Sequence, residues 1–355
     1  ESPARIRVKV VLPAPFRPTR PILSPAATWN ETGDSNSRAP ARTSTSLATN
    51  IARQGYPVAV ADIPPAEVSI DAHLVARLLT EQCPHLADPH VEAFAHGWDN
   101  ELYALGPDLL VRLPRRAASA PLLENEIATL PAIAPMLPTL VPRPVFAGRP
   151  TKYYPWRWSV VPRLPGHSAS GMPVAARAAA ASGLAAFFAA LHRTAPADAP
   201  QNPFRGVPLA AKTELWSPKI EAVAGTAALE RWLRWSAAPA WPAAPVWLHG
   251  DPHPMNLLLG SDGRLVGVID FGDVCSGDPA SDLAVAWLMF DADARAEFRA
   301  ACSLSGNYDG DVWARAWSWA LGLSVVFSLA SDNMPALAGI ARHGLAETEA
   351  EPEFD

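Results

Sequence analysis

Between residues 91 and 113 the apolar positions fall into three short runs: Val91-Glu92-Ala93-Phe94, Glu101 to Leu105, and Leu109-Leu110-Val111-Arg112-Leu113. Turn formers divide them, first His96-Gly97-Trp98-Asp99-Asn100 and then Gly106-Pro107-Asp108. Short alternating runs bounded by Gly, Pro and Asn predict a three-stranded antiparallel meander. A helix is predicted before it over 70–83, capped by Ser69, and another after it over 121–130. Residues 141–145 and 156–164 predict two more strands.

Beyond residue 173 the period changes from two to between three and four. Leu184, Phe187, Phe188 and Leu191 form one apolar stripe, and Leu229, Trp232, Leu233 and Trp235 mark a second helix. Two short apolar runs, 257–259 and 265–269, flank Asp262-Gly263 and predict a hairpin. Residues 282–290, 312–329 and 336–346 predict further helices. The order implies an α+β fold, with a small antiparallel sheet lobe over 61–162 and a mainly helical lobe over 163–355.

Composition narrows the function classes. The chain has 355 residues and a net charge of -6, which argues against general nucleic-acid binding. No uninterrupted apolar run reaches the roughly 18 residues of a membrane span; the stretch around 317–330 is broken by Ser318, Ser324 and Ser328. Three cysteines, Cys83, Cys275 and Cys302, show no disulfide framework and point to a reducing, cytoplasmic setting. Residues 1–60, rich in Pro, Arg, Ser and Thr up to about residue 55, are expected to be a disordered extension or upstream sequence read in frame. No function is assigned there.

The chemistry concentrates between Val246 and Asp282. His249, Asp251 and Asn256 have the spacing H-x-D-x-x-x-x-N, and Asp270 begins D-F-G at the end of the second hairpin strand. A carboxylate at Asp251 can align an incoming hydroxyl and accept its proton. Asn256 and Asp270 are hard oxygen donors of the kind that magnesium takes beside phosphate oxygens. The hairpin would bring both to one end. Acidic Asp-Gly hairpins are common as plain structure, but here five positions fall in register across one hairpin. A rival metallohydrolase reading uses His249, Asp251, His253 and Asp270 as ligands; no further pair at helical spacing completes its shell.

This stretch closely resembles the aminoglycoside phosphotransferase family, typified by LHGDxHPxN, IDFGD and GDPxxDLA. The matching residues are Leu248 to Asp251, His253-Pro254, Asn256, Ile269 to Asp273, Gly277 to Pro279 and Asp282 to Ala284. The resemblance covers about residues 67–350. It implies a two-lobed, protein-kinase-like fold and a small-molecule kinase using ATP or GTP and Mg2+. Asp251 would be the catalytic base, Asn256 and Asp270 metal ligands, and His249 and Asp282 braces of the loop. In such a lobe Gly97 to Asn100 would cover the nucleotide, and Arg112 would meet its phosphates. Glu126, or failing it Glu124, would pair with Arg112, while Val161 and Arg163 would lie at the hinge beside the base.

The acceptor is expected to be a hydroxyl of an aminoglycoside-like antibiotic or related metabolite. Asp273, Asp278 and Asp332, with Trp313, Trp317 and Trp319, are candidates for its pocket, although most of these tryptophans are expected to be core. No nucleic acid, membrane or obligate protein partner is implied. A nucleotide-binding pseudoenzyme is the alternative, but such proteins usually lose an equivalent of Asp251, Asn256 or Asp270.

Overall fold

The computed structural model describes residues 65–87, 90–305, 308–331 and 334–353, which lie within one compact unit, Asn50–Asp355. The expectations for residues 1–60 and for Asp332 lie outside the described residues.

The first helix among the described residues, α1 (Ala72–Gln82), is capped by Asp71 and not by Ser69. The Asp71 carboxylate accepts the Leu74 N–H at 2.8 Å, where its charge also suits the positive helix start. Strands β1 (Val91–His96), β2 (Asn100–Leu105) and β3 (Leu109–Pro114) follow, then α2 (Ala120–Ile133), β4 (Phe146–Gly148) and β5 (Trp158–Pro162). They make a five-stranded antiparallel sheet in the order β1-β2-β3-β5-β4. The strand predicted over 141–145 is displaced to β4. Pro142 and Pro144 lack the N–H groups a ladder needs, and pairing with β5 begins only at Val145, whose N–H donates to the Val160 carbonyl at 2.8 Å. One face buries Tyr103, Val111, Leu113, Trp158 and Val160 against Val75, Leu78 and Leu79 of α1.

The second lobe opens with β6 (His167–Ser168) and α3 (Ala181–Leu191), and continues through α4 (Thr213–Ala224) and α5 (Thr226–Ser236). Then come β7 (Val246–Leu248), β8 (Leu257–Leu259), β9 (Leu265–Val268) and β10 (Cys275–Gly277). Helices α6 (Ala280–Leu283), α7 (Val285–Met289), α8 (Ala292–Ser305), α9 (Gly310–Leu329) and α10 (Pro335–Ala350) complete it. Their apolar faces share one large core. Trp313, Trp317 and Trp319 are buried in it. Two segments, Val174–Leu191 and Gly310–Leu329, have the length and mean hydropathy of a bilayer span despite their interrupting small residues; most of the second is packed inside this lobe.

Two small sheets place the chemistry. β8 and β9 form the predicted hairpin, and β6 adds a third strand beside β8. Gly263 turns the hairpin at φ +76°, and a Cβ there would come within 2.2 Å of the Ala176 carbonyl. At the open end the Ile269 N–H donates to the Asn256 carbonyl at 2.9 Å, which sets Asn256 and Asp270 side by side. β7 pairs antiparallel with β10, Leu248 opposite Cys275. That pairing lays the loop after β7 against the loop before β10.

Candidate active site

The loop after β7 is built around Asp282. Its fully buried carboxylate accepts the N–H groups of His249 at 2.7 Å and Gly250 at 2.9 Å. Gly250 has φ +88°, and a Cβ there would lie 2.3 Å from the Asp273 carbonyl oxygen, so only glycine fits. His249 Nδ1 accepts the Asp251 N–H at 3.2 Å. Its Nε2 lies 3.0 Å from the Ile269 carbonyl oxygen, which can only accept, so Nε2 carries the proton. His249 thus ties Asp251 to the residue before Asp270.

Asp251 faces two cationic or proton-donating groups. Arg205 donates to Oδ1 at 2.8 Å, and His253 Nε2 lies 3.3 Å from Oδ2. Burial by itself would raise the carboxyl; Arg205 and then His253 overcome it and hold Asp251 well below the usual carboxylate range. Burial would lower the Arg205 guanidinium, yet Asp251 and Asp273 raise it. The Asn256 amide nitrogen donates to the Asp251 carbonyl at 3.0 Å. This commits its donor side and leaves the amide oxygen for another partner.

Asp270 adopts φ +66°, among the described residues the one non-glycine with a positive φ. Such backbone strain in a non-glycine residue is characteristic of functional positions. Its half-exposed carboxylate accepts from Arg112 at 3.2 Å. Arg112, on β3, is also paired with the fully buried Glu126 of α2, and the other Glu126 oxygen accepts the Phe271 N–H at 3.1 Å. Burial raises the Glu126 carboxyl, opposed by Arg112. Arg112 itself is raised against its own burial, by Glu126 and then by Asp270. α2 also supplies Asn125, whose amide donates to the Gly272 and Val274 carbonyls at 3.1 and 2.7 Å.

A cleft of about 550 Å³ runs between the β1–β2 turn and the hairpin end. Gly97, Asn100, Arg112, Val161, Arg163, Asn256 and Asp270 all line it. The Asn100 amide oxygen is buried there with no hydrogen-bond partner among the described residues, an acceptor open to a ligand. The Arg163 guanidinium stacks over the Phe94 ring, 4.7 Å from its centroid. For a divalent ion the donor chemistry fits: Asn256 offers an amide oxygen and Asp270 a half-exposed carboxylate at the same end of one hairpin.

The acidic candidates for the acceptor are differently placed. Asp273 accepts from the Asn202 amide at 2.7 Å, and burial raises its carboxyl despite Arg205. Asp278 is paired with Arg315 at 2.7 Å and lines a separate hollow of about 460 Å³. For the metallohydrolase set, both His249 nitrogens are already committed. Among the described residues no group of three or more His, Cys, Asp and Glu side chains could hold an ion. Sequence reasoning missed Arg205 as a partner of Asp251. It sits in a Pro- and Gly-flanked loop, and nothing local signals that this loop meets a residue 46 positions later.

Residues 90–316 match the phosphotransferase enzyme family. Over 87 residues the chain is 31% identical to "Uncharacterized protein YcbJ" of Bacillus subtilis (strain 168), a stretch equal to 24% of this chain and 28% of that protein's length. The GDP complex of wild-type aminoglycoside 2'-phosphotransferase-IIIa has the same fold, with a TM-score of 0.59 at 19% identity over 79% of this chain and 99% of that one. The apoenzyme of macrolide 2'-phosphotransferase MphH from Brachybacterium faecium superposes with a TM-score of 0.54 at 20% identity, over 80% of this chain and 99% of that one.

Proposed function

Given that this chain belongs to the phosphotransferase enzyme family, we propose that it transfers the γ-phosphoryl group of ATP or GTP to a hydroxyl of a small molecule. The observation that carries this reading is the convergence of Asp251, Asn256 and Asp270. His249 and the hairpin register link all three, and Asn256 and Asp270 line a cleft that also holds Arg112.

In this reading the nucleotide lies in the 550 Å³ cleft, and the GDP complex of a protein of the same fold supports a nucleotide as ligand. Arg112, always charged and held by Glu126, meets the α- and β-phosphates. The Gly97 to Asn100 turn covers them, and the backbone of Val161 to Arg163 meets the base. Asn256 and Asp270 would hold magnesium, which when bound would offset the charge on the phosphate oxygens.

Asp251 accepts a hydrogen bond from the acceptor hydroxyl and fixes its line of attack. The hydroxyl oxygen then bonds to the γ-phosphorus while the bond to the β–γ bridging oxygen breaks. The hydroxyl proton passes to Asp251. A carboxylate held this far below its usual range is a weak base in the resting site, which suits a loose transition state where the proton leaves late. Positioning and charge supply most of the acceleration.

A coupled assay of ADP or GDP release over a panel of aminoglycosides, macrolides and hydroxylated metabolites tests the reading. Asp251→Asn should lower kcat by about 10³-fold, within the range for a lost general base, while magnesium–nucleotide affinity stays within twofold, roughly. Wild-type turnover in Asp251→Asn removes the assignment.

A further inference from the structure

The phosphotransferase reading leaves open what the acceptor looks like, and one pocket bears on it. A hollow of about 360 Å³ is walled by Trp216, Leu323 and Phe327 together with Arg205, Lys212 and Lys219. Two of these residues fix it beside the base. Arg205 donates to Asp251 at 2.8 Å. The Phe327 ring lies 5.7 Å from the ring of His253, which itself approaches Asp251 at 3.3 Å. The hollow therefore lies beside the Asp251 carboxylate, separated from it by the Arg205 and His253 side chains.

The charge of the wall is one-sided. Among the described residues it contains three cationic side chains and no carboxylate. Lys212 is 5% exposed and makes no ion pair among the described residues. Its ammonium donates to the Pro203 carbonyl at 3.3 Å and lies 5.2 Å from the Phe204 ring and 6.0 Å from those of Trp216 and Trp319. Burial, and then Arg205, lower it. An ammonium has three donors, and holding it buried without an anion costs free energy that a ligand's negative group would offset. Among the described residues the carboxylates that would suit a cationic acceptor are engaged elsewhere, Asp273 by Asn202 and Asp278 by Arg315.

We propose that the acceptor is a hydroxyl compound with an apolar body and an anionic group, a carboxylate or a phosphate ester, seated in the hollow beside Asp251 with Lys212 as its anion contact. The proposal rests on the phosphotransferase reading for its hydroxyl end and on the pocket alone for its charge.

Four matched probes separate these: 8-hydroxyoctanoate, 8-hydroxyoctyl phosphate, methyl 8-hydroxyoctanoate and 8-aminooctan-1-ol. Calorimetric binding to the full-length wild-type protein is expected to favour one or both anions by about 10- to 100-fold over the ester and the amine, the ratio for one charge-assisted hydrogen bond. Which anion binds better distinguishes carboxylate from phosphate. Lys212→Met should abolish the preference, and Lys212→Arg should restore part of it. The wild-type comparison stands even if a variant does not fold. Equal binding of ester, amine and anions overturns the proposal, as does a preference that survives in a folded Lys212→Met. Anion-selective binding with no phosphate transfer to any probe supports the pocket assignment and counts against the phosphotransferase reading.

Discussion

The Asp282 carboxylate lies 2.7 Å from the backbone nitrogen of His249, and the same side chain accepts from the next residue, Gly250, at 2.9 Å. One buried carboxylate 31 residues after Asp251 thus sets the path of the loop that carries it. Asp282→Ala would leave two buried backbone N–H groups and the buried His192 ring, 3.2 Å from the same carboxylate, without that acceptor. The cost should be about 3 kcal/mol, at one to a few kcal/mol per orphaned group, read as a drop in the urea midpoint. Asp282→Asn keeps one acceptor and should cost less.

Gly250 is the tightest point of that loop. Its φ of +88° and the 2.3 Å approach of a Cβ to the Asp273 carbonyl predict that Gly250→Ala displaces Asp251. Catalytic groups misplaced by an ångström can cost 10²-fold or so in rate. The variant should therefore lose about two orders of magnitude in kcat, with nucleotide affinity nearly unchanged, measured by steady-state kinetics beside calorimetry.

The pairing of Arg205 with Asp251 gives a pH signature. Arg205 and His253 depress the Asp251 carboxyl against burial, so its folded value lies below the ordinary ~3.9. The stabilisation is present above about pH 4 and is lost as pH falls through the depressed value. Arg205→Met removes the main opposing charge and lets burial dominate. The variant should be less stable than wild type at pH 7, and the difference should narrow as the pH is lowered past about 4. The acid limb of its pH–rate profile should move to higher pH.

Arg112 and Glu126 form a buried pair. Breaking such a pair from one side costs about 3–5 kcal/mol, whereas replacing both by apolar groups of similar size can be neutral. Arg112→Met should destabilise the protein by that amount, and adding Glu126→Leu should recover much of it. Neither should bind nucleotide well. Thermal unfolding separates the two effects from binding.

Much of this was legible in the residues. The spacing of His249, Asp251 and Asn256 and the strand-end Asp270 specify a local hairpin, and short-range turn chemistry at Asp262-Gly263 closes it. Glu126 was legible because it shares a helix face with Leu122, Leu123 and Leu130, whereas Arg112 was placed by the order of strands in a kinase-like lobe. What was not legible depends on tertiary approach: the shift of the fourth strand past Pro142 and Pro144, the capping of α1 by Asp71, the third strand β6. Arg205 is the clearest case. No local pattern distinguishes an arginine exposed on a loop from one that caps a carboxylate brought in by another segment. The tryptophans of α9, large amphipathic side chains that suit a pocket wall or a core, were expected to be mostly core and are buried there.

The most direct measurement of the central claim is magnesium-dependent nucleotide binding to Asp270→Ala beside wild type, by calorimetry with a non-hydrolysable ATP analogue. Wild type should bind far more tightly with magnesium than without it, and Asp270→Ala should lose that dependence. Binding to Asp270→Ala that keeps the full magnesium effect would contradict the account.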